Sequence, residues 1–203
     1  MTADPGMNAM DWQNRRTLAA SGFAESTIHS AVGTQTFFTA GQGQPMLLLH
    51  GAGDSAAAWV KAAPALMASR QYQILIPDLP GHGMSQPHQG PLDMEIFLEG
   101  LNGVAQLAAE SPVILIGNSL GAWLAMVWAG RNPARVARIV AVDGSGLTGI
   151  RDDLALRPAD RHEARRLWQT LVDPAYWNVP EMVYDEMIRR GRMARCRAWF
   201  LTA

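Results

Sequence analysis

The chain holds very little cysteine: one in 203 residues, Cys196. One thiol excludes an internal disulfide, and no cysteine spacing suggests a metal cluster. Long apolar runs are missing too. No stretch approaches the roughly 18 residues that a bilayer-spanning helix needs. Charge of one sign is also lacking: the formal net charge is −1, so no global field draws in nucleic acid or an anionic membrane. The opening residues, MTADPGMNAMDWQNRR, lack a basic start followed by an apolar core and do not read as a secretory signal. A cytoplasmic location is the expectation, with a small-molecule substrate and neither nucleic acid nor membrane as partner. Histidine runs out early, since none follows His162.

What is present is ordinary globular material, 48% hydrophobic and 17% charged, enough to bury a core. Residues 1–25 are polar and weakly patterned and read as a loose N-terminal arm. Thr27–Ala31 and Gln35–Ala40, with Gly33 between them, suggest an antiparallel pair. Met46–His50, Gln73–Pro77, Val113–Ile116 and Arg138–Val142 are short apolar runs, read as buried strands. Between them Ala56–Ser69, Leu92–Ala109 and Leu120–Ala129 show helical spacing. Alternating strands and helices of this kind predict an α/β fold, a mostly parallel sheet covered on both faces. The predicted division is an arm over 1–25, a core over 26–150 and a helical segment over 151–203. Arg189, Arg190, Arg192, Arg195 and Arg197 read as the solvated face of a terminal helix. Trp59, Trp123, Trp128, Trp168 and Trp177 are expected to be core more than pocket.

Function in such sheets gathers at the carboxyl ends of the strands. There the chain carries His50-Gly51-Ala52-Gly53, Asp78, Gly117-Asn118-Ser119-Leu120-Gly121 and Asp143. The third fits G-x-S-x-G between a strand and a helix, the context of a nucleophile elbow. The elbow strains its serine backbone, and glycines two residues to either side let neighbouring chain approach without a Cβ clash. The competing reading is a tight turn whose serine merely caps the helix. Acyl transfer also builds negative charge on a carbonyl oxygen, which backbone N–H groups can hold. The amides of Ala52 and Leu120 are the natural donors. His50 and His82, each next to glycine, are expected to fix loops by hydrogen bonding.

HGAG (50–53), DLPGHG (78–83), GNSLG (117–121) and VDGSG (142–146), in that order, resemble the α/β-hydrolase fold superfamily. The likeness covers about Pro45 to Leu147. It is similar in particular to serine-dependent members, esterases and meta-cleavage-product C–C hydrolases. Members that carry Asp at the elbow, such as epoxide hydrolases and haloalkane dehalogenases, fit less well because Ser119 stands there. The resemblance implies Ser119 as nucleophile, the amides of Ala52 and Leu120 as oxyanion hole, no cofactor or metal, and a helical cap from Arg151 onward. It also implies an acid and then a histidine late in the chain, which this sequence lacks, as though its C-terminal part were missing. Asp143 is the candidate acid. His162 is a weaker candidate base, which only a folded-down cap could bring to Ser119.

Two expectations follow. One is a serine hydrolase whose acid and base lie beyond Ala203 or on another chain. The other is a non-catalytic binding or vestigial relative. The strand at Arg138–Val142 would be an unprotected sheet edge, open to self-association.

Overall fold

The computed structural model describes residues 7–87, 92–108, 111–144, 158–171 and 174–191. The strands are β1 (Ala24–Ser30), β2 (Gly33–Gly41), β3 (Gln44–Leu49), β4 (Tyr72–Pro77), β5 (Val113–Asn118) and β6 (Val136–Val142). The helices are α1 (Ala9–Ala20), α2 (Ala62–Met67), α3 (Met94–Ala105), α4 (Leu120–Arg131), α5 (Arg161–Leu171) and α6 (Glu181–Gly191). The strands form one mixed sheet ordered β1-β2-β4-β3-β5-β6. β1 pairs antiparallel with β2, and β2 with β4; the remaining pairings are parallel. The α/β class and the antiparallel pair are as expected from the sequence.

Strand periodicity sorts the core into two layers. In β3, Leu47 and Leu49 join Leu75, Leu115, Phe97, Leu101 and Leu124 under α3 and α4. Their neighbours Met46 and Leu48 join Ile74, Ile76, Phe38, Leu18 and Ala63 on the opposite face, beneath α1 and α2. A leucine run therefore feeds both layers, and each fully buried leucine contributes about 1.5–3 kcal/mol relative to exposure.

Three expectations need correction. The supposed loose arm contains α1, whose Asn8 and Asp11 exchange side-chain-to-backbone hydrogen bonds in a capping box. Leu18 of this helix is buried in the core. The helix expected over Ala56–Ser69 is broken into a 3₁₀ turn, Ala56–Trp59, and the short α2. The helix expected over Leu92–Ala109 stops short: α3 ends at Ala105, a 3₁₀ turn follows, and Leu107 is exposed. At β6 every residue after Val136 is exposed.

The edge expected at this strand is observed: β6 is the terminal strand of the sheet among the described residues. Of the three tryptophans expected in the core on the central helices, Trp128 is buried, with its indole N–H donating to Asn102 Oδ1 at 2.7 Å. Trp123 and Trp59 are partly buried and pack against the two core layers. Trp177 is exposed.

Beyond β6, α5 and α6 pack on each other and are laced by charge. Arg161 holds Asp185 through two bonds of 2.6 Å, and Arg165 reaches Glu181 at 2.6 Å. The Arg161 bonds keep the Asp185 carboxyl below its usual range. Arg189 pairs with Glu186, so this member of the basic cluster behaves as a helix-face charge. Arg192, Arg195 and Arg197 lie outside the described residues.

Candidate active site

Ser119 stands where β5 turns into α4, with φ +51° and ψ −113°. A non-glycine residue seldom adopts a positive φ, and the conformation is strained. Two features hold it there. The Ser119 N–H donates to the carbonyl of Val142 at 2.9 Å, so the elbow leans on the end of β6. The flanking chain is also packed backbone to backbone. A Cβ on Gly121 would overlap the carbonyls of Leu49 and His50, and one on Gly117 would overlap Gly121 itself. Glycine at these two positions is a steric demand.

The helix-capping alternative fails on geometry. Ser119 occupies the cap position of α4, yet its side chain makes no capping hydrogen bond. The hydroxyl of this half-buried residue is therefore not consumed by the helix.

The loop after β3 comes alongside. The Cβ position of Gly51 lies 3.5 Å from Ser119 Cβ and 3.3 Å from the Asn118 side-chain amide. Ala52, next in the loop, is exposed. Leu120 is the first residue of α4, so its N–H has no intrahelical acceptor. The amides expected as oxyanion donors thus lie one in the loop after β3 and one in the first turn of α4, at the positive end of its dipole.

His50 is fully buried and both ring nitrogens are engaged. The Leu79 N–H donates to Nε2 at 2.9 Å, so Nδ1 carries the proton and donates to the Gly51 carbonyl at 2.8 Å. Its ring lies 5.3 Å from that of His82, whose Nδ1 is 3.0 Å from the Pro80 carbonyl. Both histidines fix loops, as the sequence suggested.

The candidate acid and base lie just past β6 and in α5. Asp143 follows β6 at a positive φ of 47°, one residue past the carbonyl that holds the Ser119 amide. It lies at the correct end of the sheet, but it is exposed. His162 is exposed near the start of α5. Among the described residues neither makes a side-chain hydrogen bond to Ser119. No group of three or more potential metal ligands occurs among the described residues, and no described helix is long and apolar enough to cross a membrane.

The sequence marks Asp78 only as a strand-end residue and does not point to its partner, Arg15. Its buried carboxylate accepts from Arg15 Nη1 at 2.8 and 3.1 Å, from the Ala56 N–H at 2.7 Å and from the Met84 N–H at 2.9 Å. Arg15 also pairs with Glu25 and lies 4.9 Å over the Phe38 ring. Burial pulls the Arg15 guanidinium down, but Asp78 and Glu25 outweigh it, and the net shift is upward. A capping-box pattern, Asn8 followed three residues later by Asp11, was the available sign of the helix that carries Arg15.

A family model described as alpha/beta hydrolase fold matches residues 44–174, more than half of the chain. Over 122 residues the chain is 32% identical to an uncharacterized protein of Mycobacterium tuberculosis, covering 60% of this chain and 35% of that protein. Over 112 residues it is 34% identical to 2-hydroxy-6-oxo-2,4-heptadienoate hydrolase of Pseudomonas putida, covering 53% and 40%. The matched region thus spans well under half the length of these relatives. Among solved structures, a bacterial membrane phospholipase A superposes with a TM-score of 0.68 at 21% identity, covering 90% of this chain and 63% of the other. A meta-cleavage product hydrolase gives 0.66 at 24% identity, covering 83% and 64%. A Bacillus subtilis carboxylesterase gives 0.63 at 18% identity, covering 91% and 68%.

Proposed function

The chain belongs to the alpha/beta hydrolase fold family, and from that premise we propose that it carries the nucleophile half of a serine-dependent acyl-transfer site. By family it is a hydrolase, as are its named relatives. The observation that carries the proposal is Ser119 itself. It sits at positive φ on a strand-to-helix turn, wedged between Gly117 and Gly121, with a hydroxyl that caps nothing.

In this reading Ser119 Oγ attacks the carbonyl carbon of a small ester or related compound. The amides of Ala52 and Leu120 receive the oxyanion, which is worth a few kcal/mol in the transition state. The leaving group departs with a proton, and water then attacks the acyl carbon and frees the serine. Asp143 is the candidate acid, α5 and α6 form part of a cap, and the site of action is cytoplasmic.

A serine with no imidazole beside it stays protonated and is a weak nucleophile. The oxyanion hole and binding still supply residual catalysis when the base is removed. The exposed position of His162 favours a second reading, in which the chain is a non-catalytic binding domain. A fluorophosphonate probe separates the two. Covalent labelling of Ser119 in the wild-type chain, lost in Ser119→Ala, is the expected result. Absence of labelling in the folded wild type leaves the binding domain as the surviving reading.

A further inference from the structure

The oxyanion loop, Gly51 to Ser55, is held at both ends by two adjacent residues. At the near end, Leu79 donates its N–H to His50 Nε2 at 2.9 Å, and His50 Nδ1 holds the Gly51 carbonyl at 2.8 Å. At the far end, Asp78 Oδ1 accepts the Ala56 N–H at 2.7 Å. The loop therefore hangs from Asp78-Leu79, and its position depends on where the Asp78 carboxylate is fixed.

The Asp78 carboxylate also accepts the Met84 N–H at 2.9 Å. It is an ion with no side-chain exposure, and it would be costly to bury without a counter-charge. The counter-charge comes from outside the core motifs. Arg15, itself 3% exposed, reaches in from α1. Its guanidinium spans Asp78 on one side and Glu25 of β1 on the other, against the face of Phe38. Helix α1 also packs directly on the 3₁₀ turn Ala56–Trp59 that leaves the loop, and its capping Asn8 bonds Glu186 of α6 at 2.7 Å.

We propose that Arg15 is a positioning residue for the oxyanion hole: by pinning Asp78 it sets the path of Gly51–Ala56 and so the aim of the Ala52 amide at the carbonyl in front of Ser119. Arg15 touches no reacting atom, and the proposal rests on the acyl-transfer reading of Ser119. Removing it leaves Asp78 buried and unpaired. The carboxylate then rotates or draws in water, and the hydrogen bonds to Ala56 and Met84 loosen with it.

The test compares wild type, Arg15→Met and Arg15→Lys in the full chain. Amide hydrogen exchange is read residue by residue, alongside the rate of fluorophosphonate labelling at Ser119. In Arg15→Met the Ala56 and Met84 amides exchange at least about tenfold faster, while the amides of β5 do not change. Labelling slows by about tenfold. Lysine supplies the charge without the fork, so it restores both readings part of the way.

Exchange at Ala56 and Met84 within about twofold of wild type overturns the proposal. So does equal acceleration across β5, which reduces Arg15 to a general stabiliser. Should Arg15→Met fail to fold, Arg15→Lys is judged by the same selectivity. If wild-type Ser119 is never labelled, the acyl-transfer reading falls, and loop exchange still decides whether Arg15 holds the loop.

Discussion

β3 and β6 are both short apolar strands, Pro45-Met46-Leu47-Leu48-Leu49 and Val136-Ala137-Arg138-Ile139-Val140-Ala141-Val142, and both pair with β5. Their environments differ completely. Leu47, Leu48 and Leu49 are 0% exposed, whereas Val140 and Val142 are 46% and 42% exposed. Composition does not separate them; neighbours do. β3 has a strand on each side and helices on both faces, while β6 has β5 on one side and contacts α4. The elbow lies between these two regimes. Ser119 follows the strand that β3 and β6 share, wedged against the Leu49 carbonyl through Gly121 and hydrogen-bonded to the Val142 carbonyl. One support is rigid core, and the other is exposed edge.

The contrast predicts unequal mutational costs. Leu48→Ala opens a cavity in a filled layer and should cost about 2–5 kcal/mol by denaturant unfolding. Val140→Ala removes surface that water already reaches and should cost less than about 1 kcal/mol. Comparable costs for the two would mean that β6 is covered in solution. Gly121→Ala attacks the rigid support directly. Its methyl group meets backbone carbonyls of Leu49 and His50, which cannot rotate away as a side chain can. The expected loss is about 1–3 kcal/mol, accompanied by loss of fluorophosphonate labelling as Ser119 is displaced. Labelling at the wild-type rate in a folded Gly121→Ala variant would show that the wedge does not define the elbow.

The exposed support makes a different prediction. Among the described residues β6 has a free edge, with Ile139, Val140 and Val142 at the surface, and such an edge is a template for pairing with another chain. Arg138 is the strand's only charged side chain. Concentration-dependent association in sedimentation experiments is expected for the wild type. Val140→Lys should reduce it several-fold, because a lysine resists edge-to-edge pairing. Association that is indifferent to this substitution would locate the contact elsewhere.

The same contrast explains what the sequence could and could not disclose. β3, β4 and β5 were legible because runs such as Leu47-Leu48-Leu49 have few alternatives to a doubly covered strand. The elbow was legible because its glycines and serine answer a local steric demand. Helix α1 carries little apolar period because it buries a single leucine, Leu18, and two charged residues, Asp11 and Arg15. Its attachment depends on Asp78, 63 residues away, a pairing that no local period encodes. The break between Trp59 and α2 was hidden for the opposite reason. Its alanine-rich sequence suits a helix, but the Ala56 amide is drawn toward Asp78. Asp143 and His162 were legible as residue types only, since sequence spacing does not fix whether they reach Ser119.

The smallest expected effect concerns α4, the helix that joins the two regimes. On its outer face Arg131 makes a bidentate pair with Glu95 of α3, at 2.6 and 2.7 Å, and both side chains are exposed. The Arg131 hydrogen bonds hold the Glu95 carboxyl below its usual range. A carboxyl depressed on folding lends stability above its unfolded pKa and loses it as pH falls through the lower folded value. The pair should therefore stabilise the protein at neutral pH and fade in acid, below the ordinary glutamate range. Because solvent and salt screen it, Glu95→Gln should lower the melting temperature at pH 7 by about 1 °C or less. The difference from wild type should vanish as pH drops through that window. Thermal melts over a pH series, at low and high salt, give the reading. A large deficit at pH 7 that survives high salt would mean that α4 is held over the open side of the sheet by charge. A small, salt-sensitive one is what apolar anchoring through Leu124 and Trp128 requires.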